Sequence, residues 1–398
     1  MSSSTTRIKA WSAIHKWTSL ICTFFILIVS ISGLPLIFND EITAWLDDQP
    51  PYAAVAPGGL APSLDSLVSA ARERHPQYRI TSVFVSSSEP KAVIEMAPLN
   101  EGVAQEAPAS LWLEFDQRTG ELRRESGSAS QPATRFMILM LRLHIDLFAR
   151  LPGQLFLGLM ALLFVAAVVS GVALYASFMK KIEFGTVRAG RSPRLRWLDL
   201  HNLLGAVTIA WALMMGATGA LHELAVPLFR SWISTDLRPA AAPWNGKPTP
   251  ELRRMASVQD AYDNVKAALP GKVVESLMFP DGKYGLSHHY LLWAKGDSPL
   301  TSHLFDGVLV DARTGLVSRI LQMPWYIRVL RAARPLHYGD YAGLPLKFIW
   351  AVLDLITIFV LVSGLYLWFT RRKVVRLPLD ETNRMAGRAA TQTRQRVS

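Results

Sequence analysis

The sequence of 398 residues contains a single cysteine, Cys22. A disulfide within the chain needs two cysteines and a thiolate metal site needs several, so the sequence excludes both. It also lacks a Gly-x-Gly-x-x-Gly turn, which dinucleotide-binding domains use to approach a pyrophosphate. We therefore expect no flavin or nicotinamide domain within this chain.

Charged residues are scarce at 18%, whereas half of the residues are hydrophobic. A membrane-crossing helix needs about 20 consecutive, mainly apolar residues. Four runs reach that length, over residues 17–38, 153–179, 198–229 and 346–369. The first run is too long for the apolar part of a signal peptide and no small-residue cleavage pattern follows it, so we expect it to be retained. The sequence thus predicts a membrane protein with four spans.

The net charge of +11 does not indicate nucleic-acid binding, because the basic residues cluster beside the apolar runs. Cytoplasmic ends of membrane spans carry an excess of Lys and Arg. This rule predicts a multi-pass membrane protein, in contact with lipid, with both termini in the cytoplasm. The residues that carry the pattern are Arg7, Lys9, Lys16, Lys180, Lys181, Arg188, Arg191, Arg194, Arg196, Arg371, Arg372, Lys373 and Arg376.

The chain repeats a set of motifs at an offset near 190 residues. Such a constant offset indicates a tandem duplication. Each copy contains Trp-x3-His with a glycine eighteen residues further on, a second histidine before Leu-Pro and Ser-Gly, and an Asp-x-Arg-Thr-Gly turn. The matched positions are His15 with His201, Gly33 with Gly219, His144 with His337, Gly171 with Gly364, and Asp116 with Asp311.

Each half is predicted to form a helix, a small external α+β domain and a second helix. Amphipathic helices are expected over 64–75 and 258–269, with short strands and a hairpin turn after each. Residues 53–62 and 238–250 are expected to be linkers, residues 135–147 and 325–337 interfacial helices, and the tail beyond residue 379 to be disordered. The resulting order is 1–38 N-terminus and span 1, 39–134 domain 1, 135–179 interfacial helix and span 2, 180–196 basic loop, 197–229 span 3, 230–324 domain 2, 325–370 interfacial helix and span 4, and 371–398 cytoplasmic tail.

The four repeated histidines lie at the ends of apolar helices. His15 and His201 begin their spans, about 27 Å along the helix from Gly33 and Gly219, whereas His144 and His337 lie at the external edge. An approximate twofold axis would bring equivalent histidines together, and facing imidazoles are suited to axial ligation of haem iron. The alternative for each is an interfacial side chain that hydrogen-bonds or reaches the membrane surface. A zinc or copper site is less favoured, because no carboxylate or thiol recurs with the histidines.

Other polar residues near the spans have two readings each. His222 breaks the repeat and is either an alternative haem ligand or a hydrogen-bonding partner of Glu223. Asp354 is expected to be buried in span 4, for function or for a hydrogen bond to a neighbouring helix. His288, His289 and His303, in the second external domain, are expected to be surface residues of strands, with contact to a metal or to substrate as the alternative. The arginines that could contact haem propionates, an anionic substrate or lipid headgroups include Arg135, Arg142, Arg328 and Arg334.

Two kinds of motif occur twice in this chain. Leu143-His144 and Leu336-His337 each lead to a Ser-Gly helix end, and two segments end in Asp-x-Arg-Thr-Gly. By these motifs, residues 8–373 resemble PepSY-associated transmembrane proteins. The family includes inner-membrane ferrisiderophore reductases of the FoxB type. The resemblance implies periplasmic PepSY domains and two b-type haems held by His15 with His201 and by His144 with His337. It implies a ferric siderophore as substrate, and electrons that enter at the first haem and leave from the second.

The electron donor is then a membrane quinol or a separate cytoplasmic reductase. Reduction is chemically sensible, because hard oxygen donors hold Fe(II) less tightly than Fe(III). Two other functions stay open at this point: a non-redox PepSY module that binds peptides or restrains a protease, and a transporter subunit.

Overall fold

The computed structural model describes residues 3–46, 52, 61–99, 110–125, 132–178, 184–188, 190, 192–244, 249–280, 286–298 and 301–374. The chain divides into two compact units. The first unit contains Met1–Ile31, Met160–Gly216 and Ala351–Ser398, and the second contains Ser32–Leu159 and Ala217–Trp350. The predicted tail beyond residue 379 and nearly all of the predicted linker 53–62 lie outside the described residues.

Four helices in the described part of the chain are long and apolar enough to cross a membrane. They are α1 (Ser3–Ile37), α5 (Arg150–Phe178), α6 (Pro193–Glu223) and α11 (Gly343–Val374). Large apolar side chains stay exposed on them, among them Phe24, Leu162, Val207 and Phe369. A lipid environment accommodates such side chains, whereas water disfavours them. The four predicted apolar runs therefore correspond to these four helices.

The third helix ends earlier than its apolar run. α6 stops at Glu223, and a separate helix, α7 (Ala225–Trp232), follows instead of a span that continues to residue 229. Pro227 has no backbone N–H and cannot bond to the Glu223 carbonyl four residues before it. The prediction missed this break because apolar residues resume directly after His222 and Glu223.

Inside the first unit, a small apolar cluster joins three of the long helices. Cys22 and Ile26 of α1 pack with Met160 of α5 and Leu361 of α11. At the edge of this unit, buried Asp199 of α6 accepts hydrogen bonds from the guanidinium of Arg188, with Oδ1 2.6 Å from one terminal nitrogen. Arg188 belongs to the predicted basic link, of which Lys180, Lys181 and Arg191 lie outside the described residues.

The second unit is built on one eight-stranded antiparallel sheet. Its strands are β1 (Tyr78–Val85), β2 (Lys91–Pro98), β3 (Leu111–Asp116), β4 (Leu122–Glu125), β5 (Lys272–Met278), β6 (His289–Gly296), β7 (Phe305–Asp311) and β8 (Val317–Gln322). The strand order is β4-β3-β2-β1-β5-β6-β7-β8.

The sequence predicted two separate external domains, whereas the structure has one continuous sheet. β1 pairs with β5, Ser82 facing Met278 and Phe84 facing Ser276, so that two four-stranded halves become continuous. Either half alone would leave β1 or β5 as an edge with unpaired N–H and C=O groups. Pairing of the two edge strands satisfies those groups. The sequence pattern within one half does not reveal this pairing.

The predicted amphipathic helices are present as α3 (Leu64–Arg74) and α9 (Val258–Ala268). Their apolar sides, including Leu67 and Val265, are buried in one core with Ile94 and Leu292 of the sheet. Each helix also caps the other. Asp65 Oδ1 accepts from the Val258 N–H at 2.7 Å, and Gln259 Oε1 accepts from the Leu64 N–H at 3.0 Å.

The Asp-x-Arg-Thr-Gly segments form the predicted hairpin turns between β3 and β4 and between β7 and β8. Oδ1 of Asp116 accepts from the Arg118 N–H, and Oδ1 of Asp311 accepts from the Arg313 N–H. Gly120 has φ +76°, a left-handed conformation that favours glycine. A hydrogen bond from the Arg118 side chain lowers the pKa of buried Asp116.

Shorter helices complete the second unit. They are α2 (Asn39–Leu46), α4 (Pro132–Ile145), α8 (Arg238–Ala241) and α10 (Trp325–Tyr338). The predicted interfacial helices correspond to α4 and α10. The prediction of a linker from residue 238 was wrong, because Ala240 and Ala241 of α8 are buried against Leu291 and Leu309.

We expect Asp65→Ala to destabilise the second unit by about 1–2 kcal/mol, because two N–H groups of α9 lose their acceptor. Thermal unfolding of the detergent-solubilised protein, followed by circular dichroism, measures the effect. The exposed carboxylate of the same helix supplies the control, Glu73→Ala, which should leave the midpoint nearly unchanged. Equal midpoints for the two variants would contradict a capping role for Asp65.

A lowered pKa at Asp116 also predicts acid sensitivity. The ionised carboxylate stabilises the fold fully above the unfolded pKa of about 3.9, and this contribution is lost as the pH falls through the lower folded value. We expect the unfolding midpoint of Asp116→Asn to lie below that of the wild type at pH 7, and the two midpoints to converge as the pH falls below the unfolded pKa of about 3.9. Asp297→Asn, at an exposed carboxylate, should follow the wild type at every pH. A constant difference between Asp116→Asn and wild type would exclude the titration of Asp116 as its cause.

Candidate functional site

His15 and His201 form the first histidine pair, within the first unit. His15 lies on α1 and His201 on α6, and their ring centres are 6.5 Å apart with the ring planes at 69°. Both side chains are only partly exposed among apolar helices. The structure therefore brings together the two histidines that the repeat predicted to meet.

The Nδ1 atoms of this pair are hydrogen-bonded to backbone oxygens of neighbouring helices. His15 Nδ1 lies 2.8 Å from the Ala167 oxygen of α5, and His201 Nδ1 lies 3.0 Å from the Val360 oxygen of α11. A carbonyl can only accept, so Nδ1 carries the proton in both rings. The proton-free nitrogen is then Nε2, which is the form of neutral imidazole that binds metals.

A glycine lies against each ring of the pair. A Cβ atom added at Gly171 would come 3.1 Å from His15 Cε1, and one added at Gly364 would come 3.4 Å from His201 Cε1. The first distance is too short for an unmoved neighbour. Glycine at these positions therefore leaves the room that the imidazole occupies.

His144 and His337 form the second histidine pair, within the second unit. Their ring centres are 6.1 Å apart with the planes at 62°. Gly33 and Gly219 lie against them, since added Cβ atoms would come 3.0 Å from His144 Cε1 and 3.5 Å from His337 Cε1. The two pairs thus share ring spacing and glycine contact.

His337 is held and kept neutral by its surroundings. Its Nδ1 lies 2.9 Å from the Thr218 hydroxyl oxygen. Burial, together with the neighbouring His144 and His222, holds the pKa of His337 well below its usual value. The ring is therefore uncharged at neutral pH.

The serine and threonine residues that hold these rings were not predicted as partners of the histidines, although the sequence contains a signal for them. A serine or threonine precedes every one of the four glycines, in Ser32-Gly33, Ser170-Gly171, Thr218-Gly219 and Ser363-Gly364. Ser363 Oγ lies 2.9 Å from His201 Nδ1, and Ser170 Oγ lies 3.4 Å from His15 Nδ1. The full repeated unit is a histidine facing a hydroxyl-glycine pair on another helix.

Comparison with known proteins identifies the family. The model of the PepSY-associated TM region matches residues 12–371. This chain belongs to the PepSY-associated TM family. A protein of Pseudomonas aeruginosa, named only as uncharacterized, is 28% identical in an alignment 263 positions long that covers 59% of this chain. The match covers 63% of that relative's length, less than two thirds.

In this PepSY-associated TM protein, His222 lies beside the second pair. Its ring centre is 5.1 Å from that of His337, with the planes at 82°. Its Nε2 is buried without a hydrogen-bond partner among the described residues, and the structure provides no hydrogen bond to Glu223 there. Glu223 instead contacts α5, where a Cβ added at Gly158 would come 3.1 Å from its own Cβ. Nowhere in the described ranges do three His, Cys, Asp or Glu side chains converge as ligands of one metal ion.

The loop after His144 has an unusual backbone. Leu147, Phe148 and Arg150 all have positive φ, at 47°, 64° and 54°. Asp146 holds this loop: its Oδ1 accepts from the Phe148 N–H at 2.9 Å, and Arg142 binds Oδ2 at 2.8 Å. After His337, glycines at 339 and 343 adopt the positive φ values instead. Strained backbone of this kind persists where surrounding contacts hold it in place.

The predicted arginines have different surroundings. Arg142 is paired with Asp146, whereas Arg135 and Arg328 are exposed. Arg334 lies over the ring of Tyr338, 5.2 Å from its centre. Contacts of these four arginines with propionates stay a prediction.

Two polar predictions outside the pairs have outcomes. Buried Asp354 is hydrogen-bonded to Ser30 of α1. This contact is the hydrogen bond to a neighbouring helix that was one of its two predicted roles. The surface prediction for His288 and His289 was wrong: their exposed fractions are 7% and 1%. His289 lies edge-on to Trp244, 4.4 Å between ring centres, because residues 242–244 cover the start of β6. His303 is partly exposed beside Tyr341.

Proposed function

We propose that this protein is a di-haem reductase of the bacterial inner membrane that delivers electrons to a periplasmic ferric siderophore and releases Fe(II). Each histidine pair would hold one b-type haem. The sheet of the second unit would lie on the periplasmic side and both termini in the cytoplasm, as the basic residues predict.

The spacing of the two pairs is the observation that carries this proposal. Two imidazoles bound to opposite sides of one metal ion have ring centres about 6.2 Å apart, since each metal–nitrogen bond is about 2.0 Å and each nitrogen lies about 1.1 Å from its ring centre. The measured values are 6.5 Å for His15 with His201 and 6.1 Å for His144 with His337. If the rings of each pair only packed against each other, nothing would require the two pairs to have nearly the same distance between ring centres.

Hydrogen bonding supports the same assignment. Metal-binding histidines nearly always donate the proton of the other ring nitrogen to a carbonyl, a carboxylate or water. His15 and His201 donate from Nδ1 to the oxygens of Ala167 and Val360. These contacts orient each ring and raise the basicity of Nε2, which would bind the iron.

The second haem is assigned to His144 and His337 rather than to His222. The 5.1 Å between the ring centres of His222 and His337 is shorter than two rings on opposite sides of one metal require. His222 would instead place its unpartnered Nε2 near the haem edge. Arg135, Arg142, Arg328 and Arg334 are the candidate propionate contacts, of which Arg334 is the nearest in sequence to His337.

Bound haem would supply a centre that gains and loses single electrons without a change in ligands. The residues of this chain would bind and orient that centre and surround it with apolar helices. The substrate gains one electron for each Fe(III) that becomes Fe(II), and oxygen-donor chelators hold Fe(II) less tightly. The electron comes from a quinol or a cytoplasmic reductase.

Replacing a ligand should remove one haem and spare the other. We expect the detergent-purified protein to show the absorption bands of b-type haem on reduction with dithionite, with two haems per chain. His201→Ala and His337→Ala should each retain about one haem per chain, because each removes one ligand of one pair. His303→Ala, in a partly exposed loop, is the matched control and should retain both. A colourless wild-type protein would refute the proposal and favour a non-redox binding module.

Glycine contact should matter for haem retention. Gly171→Ala adds a Cβ atom 3.1 Å from His15 Cε1, whereas Gly205→Ala adds one whose nearest neighbour is 4.0 Å away. Both substitutions raise helix propensity equally, so the comparison isolates the histidine contact. We expect Gly171→Ala to weaken haem binding at the first pair by roughly tenfold and Gly205→Ala to leave it unchanged, as measured by haem transfer to apomyoglobin. Equal transfer rates would show that the His15 ring does not need this space.

A further inference from the structure

The turn between α4 and α5, residues 146–150, holds three residues in a backbone conformation that side chains disfavour. Leu147, Phe148 and Arg150 have φ of 47°, 64° and 54°. In this left-handed region the Cβ atom comes too close to the following carbonyl oxygen. The turn is therefore strained, and other contacts must hold it in this conformation.

The matching turn after His337 reaches the left-handed region with glycine. Gly339 and Gly343 have φ of 77° and 60°, and glycine adopts such values without strain because it has no Cβ atom. Gly343 directly precedes the Leu-Pro pair of the second half, as Arg150 does in the first half. The two turns thus share a conformation at this position, but the turn of the first half is strained there.

Asp146 supplies hydrogen bonds that hold the strained turn. It is 1% exposed. Its Oδ1 accepts from the Phe148 N–H at 2.9 Å, and its Oδ2 lies 2.8 Å from a guanidinium nitrogen of Arg142. Its carbonyl oxygen accepts from the Ala149 N–H at 2.8 Å. The carboxylate therefore joins the strained turn to the end of α4, the helix that contains His144.

Helix α5 lies against the other side of the strained turn. A Cβ atom added at Gly153 would overlap the carbonyl oxygen of Asp146 and would come 3.1 Å from the Ala149 Cβ. The counterpart of Gly153 in the second half is Leu346, two residues after the first position of the Leu-Pro pair. The close backbone approach is thus a feature of the first half, and it leaves the strained turn little room to relax.

The strained turn begins two residues after His144, whose ring centre is 6.1 Å from that of His337. One residue separates His144 from Asp146, so a movement of the turn would reach the backbone of the histidine. Metal ligands must be held within about 0.5 Å of their working geometry. We propose that Asp146 is a positioning residue of the second histidine pair, which fixes the His144 ring opposite His337 by holding residues 147–150 in the left-handed conformation. This role rests on the proposed function, because the metal between the rings would be the iron of the second haem.

Asp146→Ala tests this role in the full-length, detergent-purified protein. The variant removes the acceptor of the Phe148 N–H, so the turn should relax and displace His144. We expect the second haem to be retained about tenfold less tightly or worse, as measured by transfer to apomyoglobin. We also expect its electron paramagnetic resonance signal to change, because that signal depends on the angle between the imidazole planes, which is 62° for this pair. The signal of the first haem is the internal reference and should stay the same.

Glycine substitutions within the turn distinguish relief of strain from a general loosening of the chain. Phe148→Gly added to Asp146→Ala should restore most of the retention and the signal, because glycine adopts a φ of 64° without a carboxylate to hold it. Ala149→Gly added to Asp146→Ala is the matched control. Ala149 is exposed, as Phe148 is, but its φ is not positive, so this change should restore nothing.

Two further variants test the same role from other directions. Asp146→Asn keeps an oxygen for the Phe148 N–H and should retain the second haem better than Asp146→Ala does. Gly153→Ala keeps Asp146 and displaces the turn from the side of α5, so it should change the signal of the second haem. Because alanine favours a helix more than glycine does, Gly153→Ala gives this result even where Asp146→Ala does not fold.

An unchanged second haem in Asp146→Ala or in Gly153→Ala would overturn the proposal, even if the unfolding midpoint fell, because Asp146 would then only stabilise the fold. Equal recovery with Phe148→Gly and Ala149→Gly would also overturn it, as would equal loss in Asp146→Asn and Asp146→Ala. A wild-type protein without haem would refute the proposed function itself. Two haems in the wild type, with no effect of these variants, would count against the role of Asp146 alone.

Discussion

An imidazole between apolar helices needs an oxygen for its Nδ1 proton and space for its ring, and the pair of His15 and His201 depends on both. The facing helix meets the two needs within a few residues. The carbonyls of Ala167 and Val360 lie one turn before Gly171 and Gly364, so the acceptor and the space come from the same stretch. Such a ring is fixed in orientation and in tautomer before any ligand binds, which lowers the cost of binding one.

A similar demand, that buried backbone groups find partners, shapes the second unit. β1 and β5 satisfy each other's edges, and α3 and α9 cap each other through Asp65 and Gln259. The matched segments therefore depend on one another for stability. Asymmetry enters with α7, α8 and α10, which cover one face of the sheet beside β5–β7.

Sequence reasoning performed best where a local pattern determines a local structure. The apolar runs, the helices over 64–75 and 258–269, and the Asp-x-Arg-Thr-Gly turns needed only periodicity, length and turn chemistry. It failed where a distant partner decides the outcome. His288 and His289 look like polar strand residues, but residues 242–244 and the adjacent strands bury them. The end of α6 at Glu223 depends on one proline, although apolar residues continue on both sides of it.

The amino-acid sequence alone determined which histidines correspond and that four apolar helices carry or flank them, because repeat offset and hydropathy are properties of the chain order. Only the tertiary structure decided that corresponding rings lie 6.5 Å and 6.1 Å apart and that Ser170, Thr218 and Ser363 help hold them. It likewise decided that the two strand sets form one sheet. These outcomes depend on which helix faces and strand edges meet, and contacts between residues more than a hundred positions apart leave no periodicity in the sequence.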